Sequence, residues 1–279
     1  MTDTAMTVRL RPGARLEIAD PDRWVDDPQA LTQFRELVDE RLAVHVTLGR
    51  PISPAALAAL GIALGQPTGP YADRPGGLPG FGFISDLVEG PRAADTPERV
   101  PAWIEDLHFD GDAAYTVQAS LHGEPLSANR FVDMAAVYAE LPNDMKRTVT
   151  GRMALHGPLP PTNRPLAEAR PLDATRARRR PLVVRHPRTG RAVLRPPKHP
   201  QAYVEGLPEE EGRALVTELW DRARASPSSF EARLEPGQML VWDNLGAAHT
   251  NPAFTERLGR RSWFFNLPGE GAELAGYQA

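Results

Sequence analysis

Cysteine is absent from the 279 residues. That removes disulfides, iron–sulfur clusters and thiolate zinc sites together. Any bound metal must then be held by His, Asp or Glu, a ligand set that suits iron, manganese, cobalt or zinc. There is no run of about 18 apolar residues, so no membrane-spanning helix is expected. The first twenty residues carry no apolar stretch of the secretory kind. An excess of positive charge is also missing: the net charge of −4 leaves no broad field to draw in nucleic acid. These absences predict a cytoplasmic protein whose partner is a small molecule, with no nucleic-acid or membrane partner. They leave room for a homo-oligomer.

Proline and glycine are plentiful, 29 and 23 residues, which favours many loops and short elements over a helical bundle. The length suits one large domain spanning 1–279. Helices are expected at Pro28 to Leu42, where Leu31, Phe34, Leu37 and Val38 form an apolar stripe, and at Ser53 to Leu64, with Ser53 as cap and Pro54 in the first turn. Two more are expected at Met134 to Gly151 and at Pro208 to Ala225, the latter with a stripe of Leu215, Val216, Leu219 and Trp220. Short strands are expected at 43–47, 81–85, 115–120, 181–185, 191–195, 230–234, 238–243 and 262–267, with a hairpin turn at Pro187 to Gly190. The fold class is therefore mainly β with flanking helices, a sandwich or jelly-roll barrel. Long loops near 68–80, 87–102 and 158–180 are candidate lids. The last contains Arg176, Arg178, Arg179 and Arg180, more simply a solvated basic loop than a clamp for an anionic substrate.

Chemistry concentrates in three stretches. In Leu107-His108-Phe109-Asp110-Gly111-Asp112, strand periodicity puts His108 and Asp110 on one face, an imidazole beside a carboxylate. By itself that pair is equally a surface ion pair, and Asp112 is a rival carboxylate. In Pro236-Gly237-Gln238-Met239-Leu240-Val241-Trp242-Asp243-Asn244, a turn leads into a buried strand, and small residues then lead to His249. His108, Asp110 and His249 can form a two-His, one-carboxylate facial triad, which leaves three neighbouring coordination positions open and is diagnostic of non-haem iron(II) oxygenases. Those positions suit 2-oxoglutarate and O₂. The far carboxylate of 2-oxoglutarate calls for a permanently charged, forked partner. Arg260 and Arg261, 11 and 12 residues beyond His249, stand ready at the start of an apolar strand.

Together these features resemble the taurine dioxygenase-like (TauD/TfdA) family of Fe(II)/2-oxoglutarate-dependent dioxygenases, from about Leu31 to Leu267. The resemblance is carried by the Gly61 to Gly65 region, LHFDGD, ANRFVDMAAVYAELP, and the run from RPLVVRHPRTGRAVL to VWDNLGAAHT. It implies a double-stranded β-helix, a cupin-like jelly roll braced by helices. It implies iron on His108, Asp110 and His249, and 2-oxoglutarate on Arg260, with Arg261 close behind. It puts Asn129 where the family usually has a threonine that bonds the co-substrate. The reaction implied is oxidation of a small organic substrate, with release of succinate and CO₂.

Three departures stand out. Leu107 replaces the usual tryptophan before the first histidine. Pro125 to Asn129 replaces a Gly-Gly-Asp-Thr turn. Phe264 or Phe265 falls where a further arginine grips an anionic substrate in taurine-type enzymes, which argues against taurine and leaves amino acids, carboxylic acids and intermediates of secondary metabolism. Retention of Asp110 argues against a halogenase. Other residues read more simply as structural: His45 as a satisfied core histidine, His122, His156, His186 and His199 as loop or surface residues, Asp243 and Asn244 as turn residues, and Trp242, Trp263, Phe264 and Phe265 as core. Tyr71 and Tyr115 are candidates to reach the pocket. The rivals to an oxygenase are a zinc or manganese hydrolase on the same ligands and a non-catalytic small-ligand barrel.

Overall fold

The computed structural model describes residues 12–65, 77–78, 81–89, 107, 109, 113–123, 128–156, 177–198, 202–250 and 260–268. A seven-stranded sheet forms one wall, in the order β1 (Ala14–Ile18), β2 (Ala43–Leu48), β13 (Gln238–Asp243), β5 (Ala113–His122), β15 (Arg260–Pro268), β4 (Phe81–Glu89), β3 (Gly77–Leu78). A three-stranded sheet faces it: β12 (Ser229–Ala232), β6 (Asn129–Asp133) and β14 (Ala247–His249). A second three-stranded sheet joins β11 (Ala202–Val204), β7 (Met153–His156) and β8 (Arg178–Pro181), and β9 (Val183–Arg185) pairs with β10 (Ala192–Leu194) as a hairpin.

Side-chain alternation sorts these strands into three cores. On the outer face of the large sheet, Val44, Val46, Val117, Ala119, Met239, Val241 and Phe265 pack with helices α2 (Pro28–Arg41) and α3 (Pro54–Leu64). On the outer face of the small sheet, Val132 and Ala248 join Leu107 and residues of α4 (Met134–Glu140), α5 (Asn143–Val149) and α6 (Glu209–Ala225). Between the two sheets, Phe131 and Ala232 meet Ala43, Leu240 and Trp242. This inner core makes the pair of sheets a closed jelly roll.

Local chemistry explains the helix starts. Asp27 Oδ1 accepts the Gln29 and Ala30 amides ahead of Pro28, and Ser53 Oγ accepts the Ala56 amide ahead of Pro54. In α6, Glu209 to Glu211 open the helix and Arg222 and Arg224 close it, matching its dipole. A short helix α1 (Pro21–Trp24) and strand β1 precede α2 without a strong periodic signal in the sequence.

Three expectations need correction. The single helix over Met134 to Gly151 is two, α4 and α5: Leu141 is extended (φ −60°, ψ 142°) because Pro142 disfavours a helical residue before it. The loop expected from Leu87 begins later, since β4 runs to Glu89 and its ladder with β15 pairs Arg260 with Glu89. At the far end of the 158–180 loop, Arg178 to Pro181 are a strand pairing with β7, and Arg179 makes a forked pair with Glu205 at the surface. Most of the three expected loops, with Tyr71 and Arg176, lies outside the described residues.

Candidate functional site

β14 is only three residues long, and its register sets the site. Ala247, Ala248 and His249 lie opposite Asp133, Val132 and Phe131 of β6. Ala248 and Val132 enter the outer core. His249 and Phe131 therefore take the inner face, where the two rings stack at 5.9 Å with 20° between planes. Trp242, across from the large sheet, closes the other flank of the imidazole at 5.2 Å. His249 is completely buried. Two aromatic walls thus fix one imidazole in a dry interior.

Asn129 shares that face. It stands two residues from Phe131 on β6 and opposite Ala232 of β12. It is 3% exposed, and its Oδ1 has no hydrogen-bond partner among the described residues. A buried polar atom left unsatisfied is costly and points to a group the protein awaits. Arg260 and Arg261 open β15, opposite Glu89 and Val88 of β4. His108 and Asp110 lie outside the described residues. Among the described residues, no three His, Cys, Asp or Glu side chains gather as a metal-holding group.

The turn leading into β14 is densely hydrogen-bonded. Asp243 Oδ1 accepts the Leu245 amide. Asn244 accepts from Trp242 Nε1 and donates to Thr116 Oγ1, which in turn donates to Asn266 Oδ1. The Asn244 amide donates to the Ala114 carbonyl, and the Met134 amide donates to the Gly246 carbonyl. Gly246 is required by closeness: a Cβ there would sit 2.6 Å from Leu42 Cδ2 and 3.2 Å from Asp243 Oδ2. Leu42 itself has φ 66°, the single non-glycine residue with positive φ among those described. It links α2 to β2 without an intervening loop, and its carbonyl accepts the Asp243 amide.

Asp243 is more than a turn residue. Its carboxylate is fully buried and accepts from His186 Nε2 at 2.6 Å, while Arg188 Nη2 lies 3.2 Å away. His186 Nδ1 accepts the Arg188 and Thr189 amides, which leaves Nε2 as the protonated nitrogen. Arg188 also pairs with Asp39 of α2 at 2.6 Å and covers the Tyr115 ring at 4.4 Å. Burial alone would push the Asp243 carboxyl up, but the His186 hydrogen bond and the Arg188 charge hold it below the usual carboxylate value. Two sequence expectations are thereby corrected. His186 is a buried partner of the turn rather than a surface histidine. Tyr115 points into the outer core and donates to Asp39, away from His249; burial, against the opposing charge of Arg188, raises its phenol well above the ordinary value. Residues 39, 115, 186, 188 and 243 are scattered along the chain, so no local pattern could have revealed the cluster.

His45 is a satisfied core residue, as expected. Arg15 Nη1 donates to its Nδ1, so Nε2 donates to Gln238 Oε1. Trp242, Trp263 and Phe265 are buried, and Phe264 packs against the inner core.

Two facing sheets that close on an aromatic interior, with a fully buried imidazole on the inner wall, define a jelly roll. Comparison with known proteins agrees. The model of the Taurine catabolism dioxygenase TauD, TfdA family matches residues 7–265, so the chain belongs to that family of 2-oxoglutarate-dependent dioxygenases, which are oxidoreductases. Membership brings iron(II), 2-oxoglutarate and O₂ as the cofactor set, and a small molecule as the substrate. An alpha-ketoglutarate-dependent 2,4-dichlorophenoxyacetate dioxygenase of Cupriavidus pinatubonensis is 32% identical over 156 residues, 53% of each chain. A protein of the same description from a Burkholderia species is 28% identical over 241 residues, 80% of each chain. The chain thus spans about half the length of the first relative and four fifths of the second. The crystal structure of a taurine dioxygenase from Burkholderia xenovorans superposes with a TM-score of 0.69 at 20% identity, covering 96% of this chain and 92% of that one. The expected jelly-roll class is the class observed.

Proposed function

We propose that this chain, read as one domain, oxidises a small organic acid or natural-product intermediate, and that His108, Asp110 and His249 hold the iron. The observation that carries the assignment is the fully buried imidazole of His249 on the inner face, between Phe131 and Trp242. Leu107 and Phe109, the described residues beside His108 and Asp110, both pack into the outer core. The described side chains fit such a centre: a buried neutral-type ligand, aromatic walls that exclude water, and a buried amide awaiting a partner.

Bound iron would supply adjacent open positions for the co-substrate and O₂. The chain's own residues do the rest. Phe131 and Trp242 fix the plane of the imidazole and keep the interior dry, which protects reactive chemistry from side reactions. The Asn129 amide faces that interior; rotated by half a turn, it offers Nδ2 as a donor to a carboxylate. Trp263 and Phe265 enter the outer core, while Phe264 packs against the inner core. Arg260, at the start of the same strand, is the first candidate for the distal carboxylate of 2-oxoglutarate, with Arg261 close behind. The same reading takes the enzyme as cytoplasmic and its substrate as a free small molecule.

Succinate release from 2-oxoglutarate, screened over small aromatic and aliphatic acids, tests the reading. His249→Ala should abolish both iron binding and succinate formation. Arg260→Ala should raise the 2-oxoglutarate requirement steeply, since a charge-assisted pair of about 2–5 kcal/mol is lost. If Arg261→Ala does this and Arg260→Ala does not, the choice between neighbours is wrong. Turnover that needs neither O₂ nor 2-oxoglutarate would instead favour a hydrolase.

A further inference from the structure

We propose that Arg195 is a positioning residue that locks the two separated halves of the iron site to each other. The inference rests on the assignment of His108, Asp110 and His249 as ligands.

Arg195 follows β10 and is 5% exposed. Its guanidinium carbon lies 4.0 Å from the centroid of the Phe109 ring. Its Nη1 donates to the Asn244 carbonyl at 2.8 Å and to the Leu245 carbonyl at 3.1 Å. One rigid cation thus touches two segments far apart in the chain. The first is the residue between His108 and Asp110. The second is the turn that delivers His249.

The chemistry of the contact explains the residue type. A guanidinium is planar, so its face can stack on an aromatic ring while its edge donates hydrogen bonds. Lysine, a compact point charge, does one or the other. The Phe109 ring also packs near Trp220 of α6, at 6.1 Å. It is therefore gripped on one side by the outer core and on the other by Arg195. Holding that ring fixes Phe109, the residue between the two expected ligands, in place. The same guanidinium holds the carbonyls of Asn244 and Leu245, from which β14 starts. Arg195 therefore ties Phe109 to the turn that precedes His249. Groups that orient metal ligands in this way alter affinity without being ligands.

The test is anaerobic Fe(II) titration against a competing chelator, at a temperature where circular dichroism shows every variant folded. Arg195→Met and Phe109→Leu should each weaken Fe(II) binding by about 10–100-fold. The double variant should be no worse than the weaker single, because both remove the same contact. Arg195→Lys should fail to restore the affinity. If Arg195→Met does not fold, Phe109→Leu and Arg195→Lys carry the test. Fe(II) affinity within twofold of wild type in these variants, or effects that multiply in the double, would overturn the proposal and leave Arg195 a residue of the fold alone. His249→Ala separates the two readings. If it leaves Fe(II) binding intact, the ligand assignment fails and the role of Arg195 falls with it. If it abolishes binding while Arg195→Met does not weaken it, only the role of Arg195 fails.

Discussion

Replacing His186 by leucine should cost more stability than a turn residue would suggest, and the loss should be largest at neutral pH. The Asp243 carboxylate is fully buried and has two donors, His186 Nε2 at 2.6 Å and the Leu245 amide at 2.9 Å, with an ion pair to Arg188 Nη2 at 3.2 Å. Leucine takes the shortest away and offers nothing in return. A hydrogen bond to a charged group contributes about 1.5–3 kcal/mol, and leaving the charge short of a partner adds desolvation cost, so the total should approach ~3 kcal/mol. For a chain of this size that lowers Tm by roughly 6–12 °C. Urea unfolding at several pH values measures it. The sign of the pH effect follows from Asp243, whose folded value lies below the usual one. Its stabilising contribution is complete above the unfolded carboxylate pKa and is lost as pH falls through the folded value. The variant relaxes part of that depression, so the gap between wild type and variant should narrow toward acid. A loss under ~1 kcal/mol at pH 7, or a gap that widens on acidification, would refute the claim that this pair anchors the turn.

Further outcomes follow from neighbouring residues. Burial, against the Gln238 hydrogen bond, lowers the proton affinity of His45 in the folded state. Stability should therefore be complete above about pH 6.5, the unfolded value, and decline below it; His45→Asn should flatten that slope in urea midpoints taken from pH 8 to 5. Gly246→Ala should destabilise by about 1–3 kcal/mol, because its Cβ meets Leu42 and Asp243 in a packed turn; a Tm equal to wild type would show that the turn yields. Asn129→Leu should leave Tm unchanged or higher, since its Oδ1 bonds to no described residue, yet raise half-saturation by 2-oxoglutarate about tenfold, the worth of one hydrogen bond. Unchanged half-saturation would remove Asn129 from the site.

Much of the architecture was legible because its signals are local. Short apolar runs marked β2, β5, β13 and β15, and Pro28 and Ser53-Pro54 marked two helix starts. The hairpin turn at Pro187 to Gly190 was equally plain, with Gly190 at φ 67°. What escaped was non-local. β6, β7, β8, β11 and β14 are three to five residues long and exist because a partner strand lies beside them. The arginine-rich β8 has no strand signature of its own and is held by β7. At the site, His249 could be read from the strand and small residues before it. Arg195, His186 and Arg188 could not, since their partners lie tens to well over a hundred residues away.

This non-local bracing has a physical logic. A three-residue strand cannot hold a histidine in place by its ladder alone, yet in the proposed role of metal ligand that histidine must stay put within a fraction of an ångström. Here the strand is gripped from three directions. Val132 and Ala248 bind it to the outer core, Phe131 and Trp242 hold the imidazole from within, and the Asp243–Gly246 turn fixes where it begins. That turn is tied to α2 through Arg188 and Asp39, to the hairpin through His186, and to the Phe109 segment through Arg195. The hairpin therefore contributes two separate tethers, one at the end of each strand. Charged residues buried at such cost are better explained by the need to position His249 than by stability alone, because apolar residues of similar volume would serve stability as well.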